Sequence, residues 1–324
     1  MNDFDLTSSH TIQFELWQEC NNSCDFCFLG EENKKTTKDI KIQSLQRVLK
    51  ILQSEEVMSE YNTVGFIGGE FFQGQLNDKE VRSCFFDVIK KTAELYNANK
   101  IRQVWIPATL NIGNQDDLYE ALKLFKNWDQ VWIITSWDTM GRFKTRKMID
   151  TWDFHMKKLR TTYPGIKFNI TTILTGDFIE KYLNNSISLK KLMNDYSACL
   201  FFKQCGIIAN KSHQDTIEKQ TIGKIESNKI LPNFFPTRSQ FLKFLAKVKH
   251  QESEDVWNRI CNVKYRADKL YRNFNDGGIH IAERYKDKKA DVSDSVITEC
   301  GHPMVYRAYI DSDACVMCDK MRFE

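Results

Sequence analysis

What the sequence lacks narrows it first. No apolar run approaches the roughly 20 residues of a membrane-spanning helix. The opening residues, MNDFDLTSSH, are polar and acidic and carry no signal-peptide pattern. Both absences point to the cytoplasm and away from a membrane. A bias to one sign of charge is missing too: 46 Lys and Arg against 43 Asp and Glu leave +3, less basic than a general nucleic-acid binder. Proline is scarce, at 5 residues; with abundant Asn and Lys this fits an AT-rich genome and bears on no mechanism. Hydrophobic content of 42% and charged content of 27% are those of an ordinary soluble globular protein. A chain of 324 residues can form one large domain or two unequal ones with a sizeable core.

Cysteine is not scarce. In a cytoplasmic chain, 10 cysteines read as metal ligands before they read as disulfides. The stretch that organises the rest is TIQFELWQECNNSCDFCFLG. Ile12, Phe14 and Leu16 alternate as in a strand, and Cys20, Cys24 and Cys27 follow at C-x-x-x-C-x-x-C spacing. Three thiolates from one loop can hold three irons of a cubane. Protein clusters normally use four cysteines, so three leave one iron open to a substrate or cofactor. Phe26 would put an aromatic face beside that open position. A zinc site competes, but structural zinc takes four ligands and no fourth lies nearby in sequence. This spacing, with an aromatic residue before the third cysteine, resembles the signature of the radical S-adenosylmethionine (SAM) enzymes.

Strand and helix patterns then alternate. Helices are expected over 40–53, 81–96, 116–128 and 145–161, and a helical stretch over 177–196 broken near Asn184 and Asn185. Strands are expected over 63–67, 104–106, 130–136, 167–174 and 199–208. Six strand–helix units imply a parallel sheet with helices on its outer face. The fold class is α/β, a partial (β/α)6 TIM-like barrel, which resembles the radical SAM core. Residues 1–208 form that core, 209–299 a mainly helical extension, and 300–324 a Cys/His metal-binding unit. In parallel barrels the chemistry sits at the carboxyl ends of strands. The cysteine loop, Gly68-Gly69-Glu70 and Ser136 all fall there.

The resemblance implies that Cys20, Cys24 and Cys27 hold a 4Fe–4S cluster whose free iron binds SAM. Reductive cleavage of SAM would release a 5′-deoxyadenosyl radical that takes hydrogen from a substrate C–H bond, with a reductant such as flavodoxin or ferredoxin. Gly68, Gly69 and Glu70 resemble the family's GGE element, which receives the methionyl ammonium; Phe71 stands where many relatives have proline. Ser136-Trp137-Asp138 resembles an S-x-D element that could reach the SAM ribose or carboxylate, unless the two polar residues merely cap the next helix. Arg142 or Arg146 could pair with the SAM carboxylate. Asn169 and Thr171 share one strand face with Ile173, a polar face that suits a bound cofactor or, equally, a solvated edge. Cys205 is a candidate hydrogen donor, or an inert buried thiol. Cys84, Cys199, Cys261 and His155 read as packing residues.

At the C-terminus, Cys300, His302, Cys315 and Cys318 form C-x-H…C-x-x-C around a segment, MVYRAYIDSDA, that reads as a hairpin. Three thiolates and an imidazole make a tetrahedral zinc set. The same residues, with Cys261 or His302 as fourth ligand, also resemble an auxiliary iron–sulfur extension, although Ala314 stands where glycine is usual there. Two functions follow: a radical SAM enzyme acting on a peptide, protein, nucleotide or nucleic acid, or a non-catalytic zinc-ribbon protein that binds nucleic acid. The second leaves the three-cysteine loop unexplained.

Overall fold

The computed structural model describes residues 10–22, 24, 36–113, 115–139, 141–204, 238–254, 256–257, 305–308 and 312–314. Strand β1 (Thr11–Glu15) is followed by α1 (Lys38–Gln53), α2 (Glu55–Met58), β2 (Thr63–Ile67), α3 (Lys79–Asn97), β3 (Gln103–Pro107) and α4 (Asp116–Leu122). Then come β4 (Val131–Ser136), α5 (Arg146–Thr162), β5 (Lys167–Leu174), α6 (Gly176–Leu183), α7 (Leu189–Tyr196) and β6 (Ala198–Gln204). Later in the chain lie α8 (Arg238–Gln251), β7 (Val305–Arg307) and β8 (Ser312–Ala314).

All of these strands join one open sheet in the order β6-β5-β4-β3-β2-β1-β7-β8. Strands β1 to β6 are parallel neighbours in chain order, the expected α/β partial-barrel arrangement. What the sequence did not reveal is the position of β7: it pairs in parallel with β1 and antiparallel with β8. The amide of Ala308 donates to the Glu15 carbonyl at 3.1 Å, and Arg47 Nη1 donates to the Ala308 carbonyl at 2.8 Å. A segment near the C-terminus is thereby held beside the strand that leads into the cysteine loop.

Helix starts follow their caps. Thr37, Asp78, Thr145, Thr175 and Ser188 each accept a hydrogen bond from a first-turn amide. Thr145 therefore caps the helix after β4, and Ser136 and Asp138 do not. Helix α4 stops at Leu122, not at Trp128 as the periodicity suggests. The chain tightens there into i→i+3 turns, and Trp128 Nε1 takes the Leu122 carbonyl at 3.0 Å. The break at Asn184 and Asn185 is real: α6 and α7 are separate helices. Strand β6 is described only to Gln204, so the expected continuation to Ile208, and Cys205 with it, lie outside the described residues.

The two faces of the sheet differ sharply. Phe14, Val64, Phe66, Val104, Ile106, Val131, Ile133, Phe168 and Ile170 belong to the main core, which includes the apolar faces of the helices. The other face carries Gln13 and Glu15 of β1, Trp105 of β3, Trp132 and Ile134 of β4, Asn169 of β5 and Cys199 of β6. Trp105 and Trp132 pack there as a separate small cluster with Ile134 and Cys199. Helix α8 joins the outer layer. Phe244 meets the rings of Phe178 and Tyr182, and Lys247 Nζ donates to the Tyr182 and Leu183 carbonyls at the end of α6.

Phe85 of α3 is fully buried among Trp17, Phe71, Phe72 and Phe86, with ring centroids 5.8 to 6.2 Å away. Phe85→Ala is expected to cost about 3–5 kcal/mol, read as a lowered urea midpoint with an unchanged slope.

Candidate functional site

The loop after β1 is held by the loop after β2. The amide of Gly69 donates to the Trp17 carbonyl at 2.9 Å, and the amide of Glu70 to the Glu19 carbonyl at 2.8 Å. Trp17 Nε1 returns a bond to the Glu70 carbonyl at 2.9 Å. This contact requires both glycines. A Cβ on Gly68, whose φ is +140°, would lie 2.2 Å from the Trp17 carbonyl oxygen, and one on Gly69 would lie 2.0 Å from that of Glu19. Cys20 is the next residue. The paired glycines therefore set the path by which the chain enters the cysteine loop.

Glu70 is buried, and its carboxylate is engaged by its own surroundings. Oε1 accepts from the amides of Phe71 and Phe72, and Oε2 from that of Thr109 at 2.8 Å. Burial pushes this carboxyl above its ordinary range, against the lowering effect of those donors. Phe71 contributes an amide that proline would lack, and its ring packs edge-on against Trp17 at 5.1 Å.

A polar network that sequence reading missed surrounds the loop. Asn22 is buried; its side chain donates to Thr109 Oγ1 at 3.3 Å and accepts from Asn111 at 3.0 Å. Gln73 donates to Thr109 Oγ1 at 2.6 Å and to Asn111 Oδ1 at 3.2 Å, and Asn21 donates to the Gln73 carbonyl. The amide of Asn22 also points at Cys20 Sγ, at 3.4 Å. Loops after β1, β2 and β3 are thus tied together around the first cysteine. The only advance signal was the run of Asn, Gln and Thr just beyond each of these strands.

From below, α1 reaches the same loop. Ser44 Oγ donates to the Leu16 carbonyl at 2.6 Å, and Lys41 Nζ pairs with Glu19 Oε2 at 2.7 Å, both side chains being largely buried. Lys41→Met would leave Glu19 without its cation and is expected to cost on the order of 2 kcal/mol; Glu19→Gln added to it should recover most of the loss. Urea denaturation of the two single variants and the double variant measures the coupling.

Cys20 and Cys24 are half-buried and form no disulfide among the described residues. Cys27 and Phe26 lie outside the described residues, as do Cys300, His302, Cys315 and Cys318. Among the described residues no three His, Cys, Asp or Glu side chains gather into a metal set.

The structure brings the segment after β4 to the cysteines. Ser136 is half-buried at the strand end, in register with Thr171, and the next amide, of Trp137, donates to the Thr171 carbonyl at 3.0 Å. Asp138 is 1% exposed; its Oδ1 accepts from the Ile173 amide at 2.8 Å and its Oδ2 from Arg142 Nε at 2.9 Å. Burial opposes the charge on Arg142, but Cys24, Asp138 and Cys20 outweigh it and hold the guanidinium firmly protonated. Arg146, by contrast, is 82% exposed and pairs with Asp150 at 2.9 Å.

Asn169 is 1% exposed, and among the described residues neither its Oδ1 nor its Nδ2 has a hydrogen-bond partner. A buried carboxamide with no partner is costly and unusual. It stands on the sheet face opposite the main core, in register with Ile134 and Cys199. His155 is a packing residue as expected: it is buried against the Tyr119 hydroxyl at 3.0 Å and the Gly113 carbonyl at 3.3 Å. Among the described residues no helix is long and apolar enough to cross a membrane.

No family model matches the chain. No curated protein matches it either. Among solved structures the chain is similar to anSMEcpe with bound AdoMet, at 14% identity over 74% of this chain and 56% of that one, with a TM-score of 0.44. It is also similar to SuiB of Streptococcus suis bound to S-adenosylmethionine, at 14% identity over 76% and 54%, with a TM-score of 0.42. For SuiB bound to the precursor peptide SuiA the values are 13%, 77%, 54% and 0.41. The chain spans little more than half the length of these structures.

Proposed function

We propose that this chain is a radical SAM enzyme that takes hydrogen from a C–H bond of its substrate. One observation carries the reading: half-buried Cys20 and Cys24, spaced in sequence with Cys27 as three of a set, follow the carboxyl end of β1, and the largely buried guanidinium of Arg142, bonded to Asp138, feels the charge of both. Soft thiolates suit an iron–sulfur cluster, and a buried cation offsets the negative charge that such a ligand set gathers. Cys20, Cys24 and Cys27 would hold a 4Fe–4S cluster, which when bound supplies the electron for cleavage of SAM.

The remaining roles belong to the chain's own residues. Gly68 and Gly69 hold the cysteine loop against the end of β2. Phe26, Glu70, Ser136, Asp138, Arg142 and Asn169 would line the place of SAM, and the unpartnered carboxamide of Asn169 has one donor side and one acceptor side to offer a polar ligand. The buried sheet face excludes water, which protects a reactive radical from side reactions. Cys300, His302, Cys315 and Cys318 would hold zinc or a second cluster.

The test is anaerobic reconstitution with iron and sulfide, metal counting, reduction, and addition of SAM. The reading expects about four irons bound through Cys20, Cys24 and Cys27, with 5′-deoxyadenosine formed. One zinc per chain in addition would assign the C-terminal set to zinc, and about eight irons without zinc would assign it to a second cluster. A reducible cluster that never cleaves SAM would sink the enzyme reading.

A further inference from the structure

Helix α5 and the loop after β3 border a shallow, open groove of about 610 Å³. Its walls include Gly113 of that loop and Lys147, Asp150, Phe154 and Lys158 of the helix. Phe154, one of the lining residues, is 57% exposed. Lys147, Phe154 and Lys158 are seven and four residues apart, so they share one helix face.

The charge on this face is lopsided. Helix α5 carries Arg146, Lys147, Lys157, Lys158 and Arg160 against Asp150 and Asp153. Both acids are already engaged, Asp150 by Arg146 at 2.9 Å and Asp153 by Lys157 at 2.7 Å. Lys147 and Lys158 have no carboxylate partner among the described residues. Lys158 Nζ instead rides over the rings of Tyr119, 4.3 Å from its centroid, and Phe154, at 5.9 Å. Asp116, at the start of α4, adds an acid whose charge acts on His155 and Tyr119. Two cations around an exposed ring fit an acidic surface with an apolar centre.

The groove is also joined to the cysteine loop. Gly113 lies two residues from Asn111, whose side chain bonds Asn22, which in turn lies two residues from Cys20. The groove wall and the brace of the cysteine loop are one segment of chain. We propose that this groove docks an acidic protein that carries single electrons and delivers them to the cluster at Cys20, Cys24 and Cys27. The step is one outer-sphere electron: the carrier is oxidised by one electron, the cluster is reduced by one, and no bond or proton moves. The proposal rests on the reading of the cysteine loop given above.

The test follows cluster bleaching in the full reconstituted chain with two reductants, reduced flavodoxin as the acidic carrier and photoreduced deazariboflavin as a small neutral one. Lys147→Glu/Lys158→Glu should slow reduction by flavodoxin roughly tenfold or more at low salt and flatten its dependence on ionic strength. Phe154→Ala should slow it several-fold while keeping the salt dependence. Neither variant should alter reduction by deazariboflavin, and both should keep the parent's thermal midpoint, since all three side chains are exposed. Unchanged reduction by flavodoxin in the charge-reversed variant would overturn the proposal. So would slower turnover of an acidic peptide with unchanged reduction, which would give the groove to substrate, or a change of oligomeric state, which would give it to a second copy. A parent protein that forms no cluster reducible by deazariboflavin would sink the reading of the cysteine loop, and this proposal with it.

Discussion

Gly69→Ala is expected to lose about 3–5 kcal/mol of stability and, on the proposed reading of the cysteine loop, most of the iron taken up on reconstitution. The new methyl would lie 2.0 Å from the Glu19 carbonyl oxygen and 2.6 Å from that of Gln18. Both obstacles are backbone, so no side chain can turn aside. Relief requires the 68–70 segment to back away from 17–19, which breaks the Gly69–Trp17 and Glu70–Glu19 hydrogen bonds. Overpacking of this kind costs about 1–3 kcal/mol, and each lost bond about 1 more. The residue that moves with Glu19 is Cys20. Chemical denaturation measures the stability, and iron per chain, counted at a temperature where the variant is still folded, measures the displacement of the loop. A variant with parental stability and iron content would show that the two loops are not held together as described.

Arg142→Met carries the second large effect. It removes the guanidinium bonded to Asp138, a carboxylate that is 1% exposed and also accepts from the Ile173 amide. Breaking a buried pair on one side costs about 3–5 kcal/mol, because the remaining charge is left in a low-dielectric setting. Adding Asp138→Asn should recover much of the loss, since the amide oxygen can still accept from Ile173. Arg142→Lys should fall between, keeping the charge but losing the fixed guanidinium geometry. If the Arg142→Met and Arg142→Met/Asp138→Asn proteins unfold at the same urea concentration, the pair is not what holds this segment.

The positions of the strands were legible because buried parallel strands are short, continuous runs of apolar and β-branched residues between turns. Residues 63–67 and 167–174 were readable to the residue on that basis. Helix ends were less so. Periodicity runs through Trp128, yet α4 ends at Leu122, because the indole of Trp128 folds back onto a carbonyl at the helix end. A side-chain hydrogen bond of that kind leaves no mark in the spacing of apolar residues.

The candidate site divides in the same way. The cysteine triplet, the paired glycines and the S-x-D segment could be found in sequence because each is a local pattern with a chemical reason behind it. The work each residue does could not. Gly69 is required by the carbonyl of Glu19, fifty residues earlier, and Asn22 is held by Asn111; Arg142 answers to Cys24 and Cys20. The C-terminal hairpin joins β1 although some three hundred residues separate them. The sequence alone determined the alternation of strand and helix and the spacing of the three cysteines after β1, since both depend on neighbours along the chain. Only the tertiary structure decided which sheet face packs against the main core, which buried carboxamide lacks a partner among the described residues and which loops brace the cysteines, because those are contacts between segments far apart in the chain.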